Sequence, residues 1–177
     1  FEMDKNLQAV SKILFESKCI KFGDFRLKSG MKSPFYIDLR LLVSYPKSMQ
    51  LVAKVLSKQA KKIKFDRIFG LPYAGIPIAT VLSLEMKKPM IYMRKEKKEY
   101  GMKNDIEGLF ESGEKILMID DLATTGESKL DFISPLTQNG LKVKDILVLV
   151  DREQGAKEFL AEKGFNLHSV ISITQVI

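Results

Sequence analysis

Two adjacent carboxylates, Asp120 and Asp121, end an aliphatic run and precede a turn that contains Thr124, Thr125 and Gly126. Such a carboxylate pair accepts hydrogen bonds from vicinal hydroxyls or faces a hydrated Mg²⁺. A turn that opens a helix presents backbone N–H groups to a phosphate. Because ligands bind at the carboxyl ends of the strands in an open α/β sheet, this combination indicates a sugar phosphate site. The alternative is that the acids start a turn and a threonine caps a helix.

Short aliphatic runs, which predict strands, alternate along the chain with stretches of helical periodicity, and these elements would position the site. Such alternation predicts an open, mainly parallel α/β sheet covered by helices on both faces. An opening helix over Lys5–Ser17 and a turn-rich loop over 28–34 belong to an added N-terminal lobe of about 1–45, within a single domain of 1–177. The next helix begins at Pro46. The predicted strands are Arg67–Leu71, Met90–Met93, Lys115–Asp120, Val143–Val150 and Leu167–Ile173, and the helices between them are Gly75–Glu85, Gly126–Asn139 and Gln154–Lys163.

A basic interval over 94–108 breaks this alternation. It has little apolar content, two glycines and an excess of lysine and arginine. It is long for a connection in a compact domain, and such loops are usually functional lids or disordered segments. We therefore expect a flexible loop that closes over the site, the alternative being a solvated charged turn.

Composition excludes several function classes. The 177 residues are 45% apolar and contain one cysteine and one histidine, which argues against a disulfide framework, a zinc site and a Cys–His catalytic pair. No apolar run is long enough to span a bilayer, so a cytoplasmic location is expected. The net charge is +7, and residues 1–108 hold 22 basic and 11 acidic groups. This asymmetry indicates an anionic partner: nucleic acid, a membrane surface or a phosphorylated small molecule.

Four segments resemble a known family. Residues Ile116–Ser128 look like the phosphoribosyl pyrophosphate (PRPP) signature of type I phosphoribosyltransferases. Within that group the chain is similar to the orotate phosphoribosyltransferases, and most of all to the transferase half of UMP synthases. The segments that carry this narrower resemblance are Phe25–Gly30 with Ser33–Tyr36, Arg94–Gly101 and Asp151–Gly155.

The resemblance implies the type I phosphoribosyltransferase fold and a reaction in de novo pyrimidine (UMP) biosynthesis. Orotate and PRPP would give orotidine 5′-monophosphate and pyrophosphate, with Mg²⁺ as cofactor. Asp120 and Asp121 would hold the ribose hydroxyls and could face the metal through water, with no direct protein ligand assured, and Lys98 of the loop would assist the leaving group. The PRPP-binding residues implied are Lys28, Tyr73, Ala74, Arg94, Lys95, Lys98, Tyr100, Asp120, Asp121, Leu122, Ala123, Thr124, Thr125, Gly126, Glu127 and Ser128.

The resemblance also assigns an orotate pocket and partners. A homodimer with shared active sites is implied, together with a separate or fused orotidylate decarboxylase, and neither nucleic acid nor membrane is needed. The alternatives are purine or uracil salvage and a non-catalytic RNA-binding regulator of the same fold. At Arg152 the alternative is a surface ion pair with Asp151 or Glu153. The orotate-binding residues implied are Lys28, Tyr36, Ile37, Thr124 and Arg152.

Overall fold

Five α-helices and eight β-strands lie in residues 4–27, 30–96 and 105–176, the parts of the chain that the computed structural model describes. The helices are α1 (Lys5–Glu16), α2 (Pro46–Ala60), α3 (Gly75–Met86), α4 (Glu127–Gln138) and α5 (Ala156–Glu162). The strands are β1 (Ile20–Arg26), β2 (Lys32–Ile37), β3 (Arg67–Gly70), β4 (Met90–Met93), β5 (Ile106–Glu107), β6 (Lys115–Ala123), β7 (Lys142–Asp151) and β8 (Asn166–Ser172).

Six strands form the central sheet in the order β5-β4-β3-β6-β7-β8. All neighbouring pairs are parallel except β4 and β5, which are antiparallel. The predicted open, mainly parallel sheet is confirmed. The strand order reverses between β3 and β6, because β4 lies on one side of β3 and β6 on the other. A crevice forms at the carboxyl ends of the strands at such a switch point.

Both faces of the sheet are buried. Along β6, Leu117 and Ile119 join the core cluster with α1, α2 and α3, whereas Ile116 and Met118 join the cluster with α4 and α5. Successive side chains in a strand point to opposite faces, so this division follows from the pleat. The start of β6 is continuously aliphatic because helices cover both faces of the sheet, as the sequence predicts.

The N-terminal lobe contains a two-stranded antiparallel sheet of β1 and β2. Strand β2 begins at Lys32, inside the stretch predicted as a turn-rich loop, because alternate residues from Ser33 onward are buried. A 3-10 turn over Leu39–Ser44 leads into α2, which begins at Pro46 as predicted. Proline suits the first turn of a helix, where its missing N–H has no partner to lose.

One short strand lies within the interval predicted as a flexible loop. Strand β5 pairs Glu107 with Tyr92 and Ile106 with Met93 of β4. The end of the predicted loop is therefore part of the sheet, which corrects its boundary of 94–108. Within the described ranges, no helix has the length and apolar content needed to cross a membrane.

Candidate active site

The loops that follow β3, β4, β6 and β7 lie at one edge of the sheet. In parallel strands the carboxyl ends meet at the same edge, so these loops converge. They hold most of the candidate residues: Tyr73 and Ala74 after β3, Arg94 and Lys95 after β4, Thr124 to Ser128 after β6, and Arg152 after β7. The backbone ties two of these loops to their neighbours, since Leu71 N–H donates to the Ile119 carbonyl at 2.9 Å and Arg152 N–H to the Ala123 carbonyl at 2.9 Å.

Asp120 is held by the protein itself. Its Oδ2 lies 2.6 Å from Nζ of Lys129 on α4, and its Oδ1 accepts the backbone N–H of Asp121 at 2.8 Å. Lys129 also donates to the Leu122 carbonyl at 3.1 Å. Asp120 is 8% exposed and Lys129 only 2%. A buried charge is tolerated where it is paired and hydrogen-bonded, and this pair meets both conditions.

Asp121 has a different environment. Burial raises the pKa of its carboxyl to about 8, and the adjacent charge of Asp120 acts in the same direction. Lys129 opposes this shift. The two acids of the motif are thus inequivalent: one is fixed by an internal cation, while the other holds a proton more readily. A cationic or hydroxyl-bearing ligand beside Asp121 would favour its charged form.

The turn after β6 forms the start of α4. Thr124 and Thr125 are exposed, and Gly126 precedes the helix with φ +86°. This left-handed conformation favours glycine, and a Cβ at Gly126 would also lie 3.1 Å from Cγ of Leu160. The turn therefore leaves the first N–H groups of α4 accessible next to two hydroxyls. That arrangement suits a phosphate group.

A close backbone contact joins the loop after β3 to the carboxylate pair. Gly75 begins α3, and a Cβ there would lie 2.6 Å from the Ile119 carbonyl oxygen and 3.2 Å from Oδ1 of Asp120. Only glycine permits this approach. The loop that holds Tyr73 and Ala74 is consequently fixed beside the carboxylates, in the crevice between β3 and β6.

Arg152 lies at this edge, and one N–H group of its side chain has no hydrogen-bond partner among the described residues. Its Nε is buried and makes no hydrogen bond to any residue that the structure describes. Its guanidinium carbon lies 5.6 Å from the ring centroid of Phe35 on β2, so the lobe covers it. Burial lowers the pKa of Arg152. Among the described residues Arg152 forms no ion pair with Asp151 or Glu153, so the alternative is not borne out; Asp151 Oδ1 accepts the Glu153 N–H, and Glu153 accepts from Thr174.

Phe35, Tyr36 and Ile37 of β2 alternate across the strand. Tyr36 is exposed and its ring centroid lies 5.7 Å from that of Phe25. Ile37 is 5% exposed and packs in the core on the same face as Phe35. The two residues expected to line the base pocket therefore point to opposite faces of β2, and the neighbouring Phe35 makes the contact with Arg152.

Arg94, Lys95 and Tyr73 occupy one corner of the edge. Nζ of Lys95 lies 5.3 Å from the Tyr73 ring centroid, and the Tyr73 hydroxyl donates to Glu96 at 2.6 Å. Nε of Arg94 lies 2.9 Å from Glu107 on β5. Next to this corner is a cavity of about 450 Å³ lined by Arg94, Lys95 and Ser128 among others. The structure thus brings cations of the β4 loop to the first turn of α4, where Glu127 and Ser128 are exposed.

Three candidate residues, Lys28, Lys98 and Tyr100, lie outside the described residues.

Three residues at the site were not predicted from the sequence: Lys129, Phe35 and Arg40. Arg40 forms a bidentate pair with Asp38 at 2.8 and 3.0 Å, which raises the pKa of Arg40, and Asp121 also acts on it. For Lys129 a signal existed. It shares a helical stripe with Ile133 and Leu136, and that stripe is buried.

The donor set suits Mg²⁺ only if a ligand supplies most of the coordination. Among residues 4–27, 30–96 and 105–176 no group of three or more His, Cys, Asp or Glu side chains could hold a metal ion. One oxygen of Asp120 is already occupied by Lys129. Mg²⁺ usually keeps several waters and binds through one or two carboxylates plus substrate phosphates, so the pair is compatible with it.

Comparison with known proteins adds to this geometry. The sequence model described as "Phosphoribosyl transferase domain" matches residues 42–175. An orotate phosphoribosyltransferase of Pyrococcus abyssi is 40% identical over 93% of this chain and 92% of its own. The crystal structure of orotate phosphoribosyltransferase from Aeropyrum pernix has a TM-score of 0.84 and 35% identity, covering 94% of this chain and 95% of that one. Leishmania donovani UMP synthase has a TM-score of 0.88 and 46% identity, with 98% of this chain and 38% of that chain covered.

Proposed function

The chain belongs to the phosphoribosyltransferase family, among its orotate phosphoribosyltransferases, and we propose that it joins orotate to the ribose of PRPP at the edge described above. In this reaction a ring nitrogen of orotate gives up its proton and bonds to the anomeric carbon of PRPP, while the bond from that carbon to pyrophosphate breaks. The products are orotidine 5′-monophosphate and pyrophosphate. An orotidylate decarboxylase, separate or fused, would consume the nucleotide in pyrimidine biosynthesis.

One observation carries the proposal: the unpartnered Nε of Arg152 lies beside the carboxylate and hydroxyl turn of β6. The backbones of the two segments are hydrogen-bonded through Arg152 and Ala123, so their positions are fixed relative to each other. A buried donor without a protein acceptor is rare in proteins and leaves an N–H free for a ligand oxygen. Orotate supplies a carboxylate and ring carbonyls, whereas uracil lacks the carboxylate. The pairing of such an arginine with a sugar phosphate turn favours orotate.

The remaining side chains bind and orient. Asp121, with Asp120 fixed behind it, accepts hydrogen bonds from the ribose hydroxyls. The turn of Thr124, Thr125 and Gly126 holds the 5′-phosphate at the helix N-terminus. Arg94, Lys95 and the backbone near Tyr73 and Ala74 attract the pyrophosphate oxygens. Catalysis of this kind depends on positioning and on charge directed at the leaving group, without a covalent nucleophile.

Mg²⁺ dependence is part of the proposal. Asp120 and Asp121 would face the ion through water, with the substrate supplying the inner ligands. When bound, Mg²⁺ neutralises negative charge on the departing pyrophosphate. The protein lysines and arginine act on the same oxygens from the other side of the crevice.

Lys98 is proposed as the main contributor of the loop between β4 and β5. The described residues on either side of Lys98 lie at the site, since Arg94 lines the cavity beside α4 and Ile106 of β5 pairs with Met93. Closure over the substrates would exclude water, which otherwise hydrolyses PRPP. A Lys98→Ala variant that folds normally should lose at least tenfold in kcat, and an unchanged kcat would remove this role.

A homodimer is proposed from an apolar surface next to the site. Val43 and Leu84 are 57% and 74% exposed on the face of the 3-10 turn, α2 and α3. Two cavities on this face share Met49, and one of them also reaches Tyr73 and Ala74. A second copy of the chain seated there would lie beside the pyrophosphate-binding loop. This arrangement agrees with active sites shared between protomers.

The direct test follows the absorbance of orotate with PRPP and Mg²⁺ present. We expect absorbance to fall only when all three are combined with the protein. Parallel reactions with uracil and with hypoxanthine test the salvage alternatives, and turnover of either in place of orotate would contradict the proposal. Binding of RNA without orotate turnover would instead support a regulator.

A further inference from the structure

A second cleft lies at the opposite edge of the sheet, where β6, β7 and β8 begin. It has a volume of about 430 Å³. Lys115, Lys142 and Lys144 line it from the strands, and Lys62 and Lys64 from the segment after α2. Because parallel strands run in one direction, this amino edge lies across the sheet from the loops that form the candidate active site. None of the residues assigned to PRPP or orotate that the structure describes lines this cleft.

The five lysines of this cleft are exposed, and within the described ranges none of them forms an ion pair with a carboxylate. The one acid that lines the cleft, Asp145, is already engaged: its Oδ1 lies 2.8 Å from Nε2 of His168 and 3.3 Å from Nδ2 of Asn166. Nearby Glu114 is paired with Arg67 at 2.9 Å. Asp145 and Asp66, whose Oδ2 accepts the Lys115 N–H at 2.8 Å, therefore offset only part of the five positive charges of the cleft.

The register of the sheet concentrates this charge. Lys115 of β6 and Lys142 of β7 are direct cross-strand partners, and Lys144, at the irregularity where the register of β7 shifts, lines the same cleft. Like charges on cross-strand partners repel, and physiological salt screens only charges that are more than about 8 Å apart. This repulsion does not stabilise the folded state. It is relieved when an anion with several charges occupies the cleft.

We propose that this cleft binds a polyphosphate group. Several phosphates linked in a chain place their charges a few ångströms apart, which matches lysines spaced along neighbouring strands. Ile63, which is half-buried, adds apolar surface to the lining, against which the heterocycle of a nucleotide can pack. The chemistry is shared by inorganic polyphosphate and nucleoside triphosphates, and the size of the cleft favours such a small ligand over a nucleic acid strand.

Chemical footprinting locates the ligand. Exposed lysines are acetylated briefly with and without tripolyphosphate or ATP, and the rate at each lysine is read by peptide mass spectrometry. We expect Lys142 and Lys144 to be protected at least threefold, while Lys47 and Lys58 on α2 are not. Equal protection at all lysines, or none at the cleft, would overturn the proposal.

A pair of variants then tests affinity. Lys142→Gln/Lys144→Gln should weaken ATP and tripolyphosphate binding at least tenfold at 0.15 M salt. Lys47→Gln/Lys58→Gln removes the same amount of charge and should change the affinity for ATP and tripolyphosphate less than twofold. Equal weakening in both would show attraction to net charge only and would reject the site. Tighter binding of ATP than of tripolyphosphate would show that the heterocycle contributes, and equal binding that the phosphate chain suffices. Orotate turnover, unchanged in both variants, reports on the proposed function separately.

Discussion

Lys129 and Asp120 form a buried ion pair with 2.6 Å between Nζ and Oδ2, nine residues apart in the chain. The pair links helix α4 to strand β6 directly behind the candidate ribose site. It distinguishes the two acids of the motif, since Asp120 is fixed by an internal cation and Asp121 is the one available to a ligand. The lysine thereby acts as a positioning residue.

Lys129→Met should destabilise the protein by about 3–5 kcal/mol, because it leaves a buried carboxylate without its partner. The double variant Asp120→Asn/Lys129→Met should recover part of that loss, and denaturant unfolding measures both. The KM for PRPP should rise in Lys129→Met more than the KM for orotate. Lys157→Met, on the exposed face of α5, is the control and should be nearly neutral. A loss below about 1 kcal/mol would contradict the pair's importance.

Arg152→Gln should raise the KM for orotate by about 10-fold to 100-fold, the range expected when a hydrogen bond to a charged group is lost. The KM for PRPP should stay within twofold, because Arg152 lies on the side of the site that we assign to orotate. Steady-state kinetics with each substrate varied in turn make the distinction. Arg26→Gln on exposed β1 serves as the control. Parallel losses for both substrates would point to a structural role.

Gly126→Ala should destabilise the protein by roughly 1–2 kcal/mol from its left-handed backbone alone. The new Cβ would also displace Leu160, and PRPP binding should weaken with the distorted turn. Gly113→Ala is a matched control, since Gly113 has φ +90° and nothing within 4 Å of a Cβ. Calorimetric Tm values should show a larger loss for Gly126→Ala. Equal losses would mean that packing against Leu160 contributes nothing.

The stability of the ligand-free protein should depend on Asp121 between about pH 4 and pH 8. The folded state raises the pKa of this carboxyl from 3.8 to about 8, so across this window the folded protein holds a proton that the unfolded chain has released. Stability from this group therefore falls as pH rises, by at most about 1.4 kcal/mol per pH unit. Denaturant unfolding of Asp121→Asn should show a flatter profile than the parent. Identical profiles would contradict the assignment.

Leu84→Asp should dissociate the proposed homodimer, because it places a charge in the centre of the exposed apolar face. Light scattering should report half the mass, and kcat should fall if protomers share their sites. Glu162→Gln, exposed on α5 at the other face of the sheet, is the control for a surface change. A parent protein that is monomeric at micromolar concentration would reject the dimer itself.

Sequence reasoning located the strands and helices well, because aliphatic runs and helical periodicity report burial locally. The start of α2 at Pro46 and strand β4 over Met90–Met93 match the expectation. Strand β5 was missed, since two residues carry no periodicity and only the pairing with β4 defines it. The signature Asp120–Gly126 was found at the sheet edge as predicted, although β6 runs through both acids to Ala123.

The sequence could not predict the tertiary contacts that distinguish the site residues from one another. Phe35 and Arg152 meet only because the lobe folds over the carboxyl edge of the sheet, and no spacing predicts that. Lys129 was accessible in principle, since a lysine on the buried stripe of α4 must have a partner inside the protein. Only the folded structure shows that this partner is Asp120.

The hydrogen bond from Arg152 N–H to the Ala123 carbonyl has a thermodynamic consequence. It joins the backbone on which orotate would be held to the backbone that cradles the sugar phosphate. A substrate that orders one of these segments lowers the entropy that the second substrate must still remove. The two substrates should therefore bind synergistically, and by linkage the factor by which PRPP tightens orotate equals the factor by which orotate tightens PRPP.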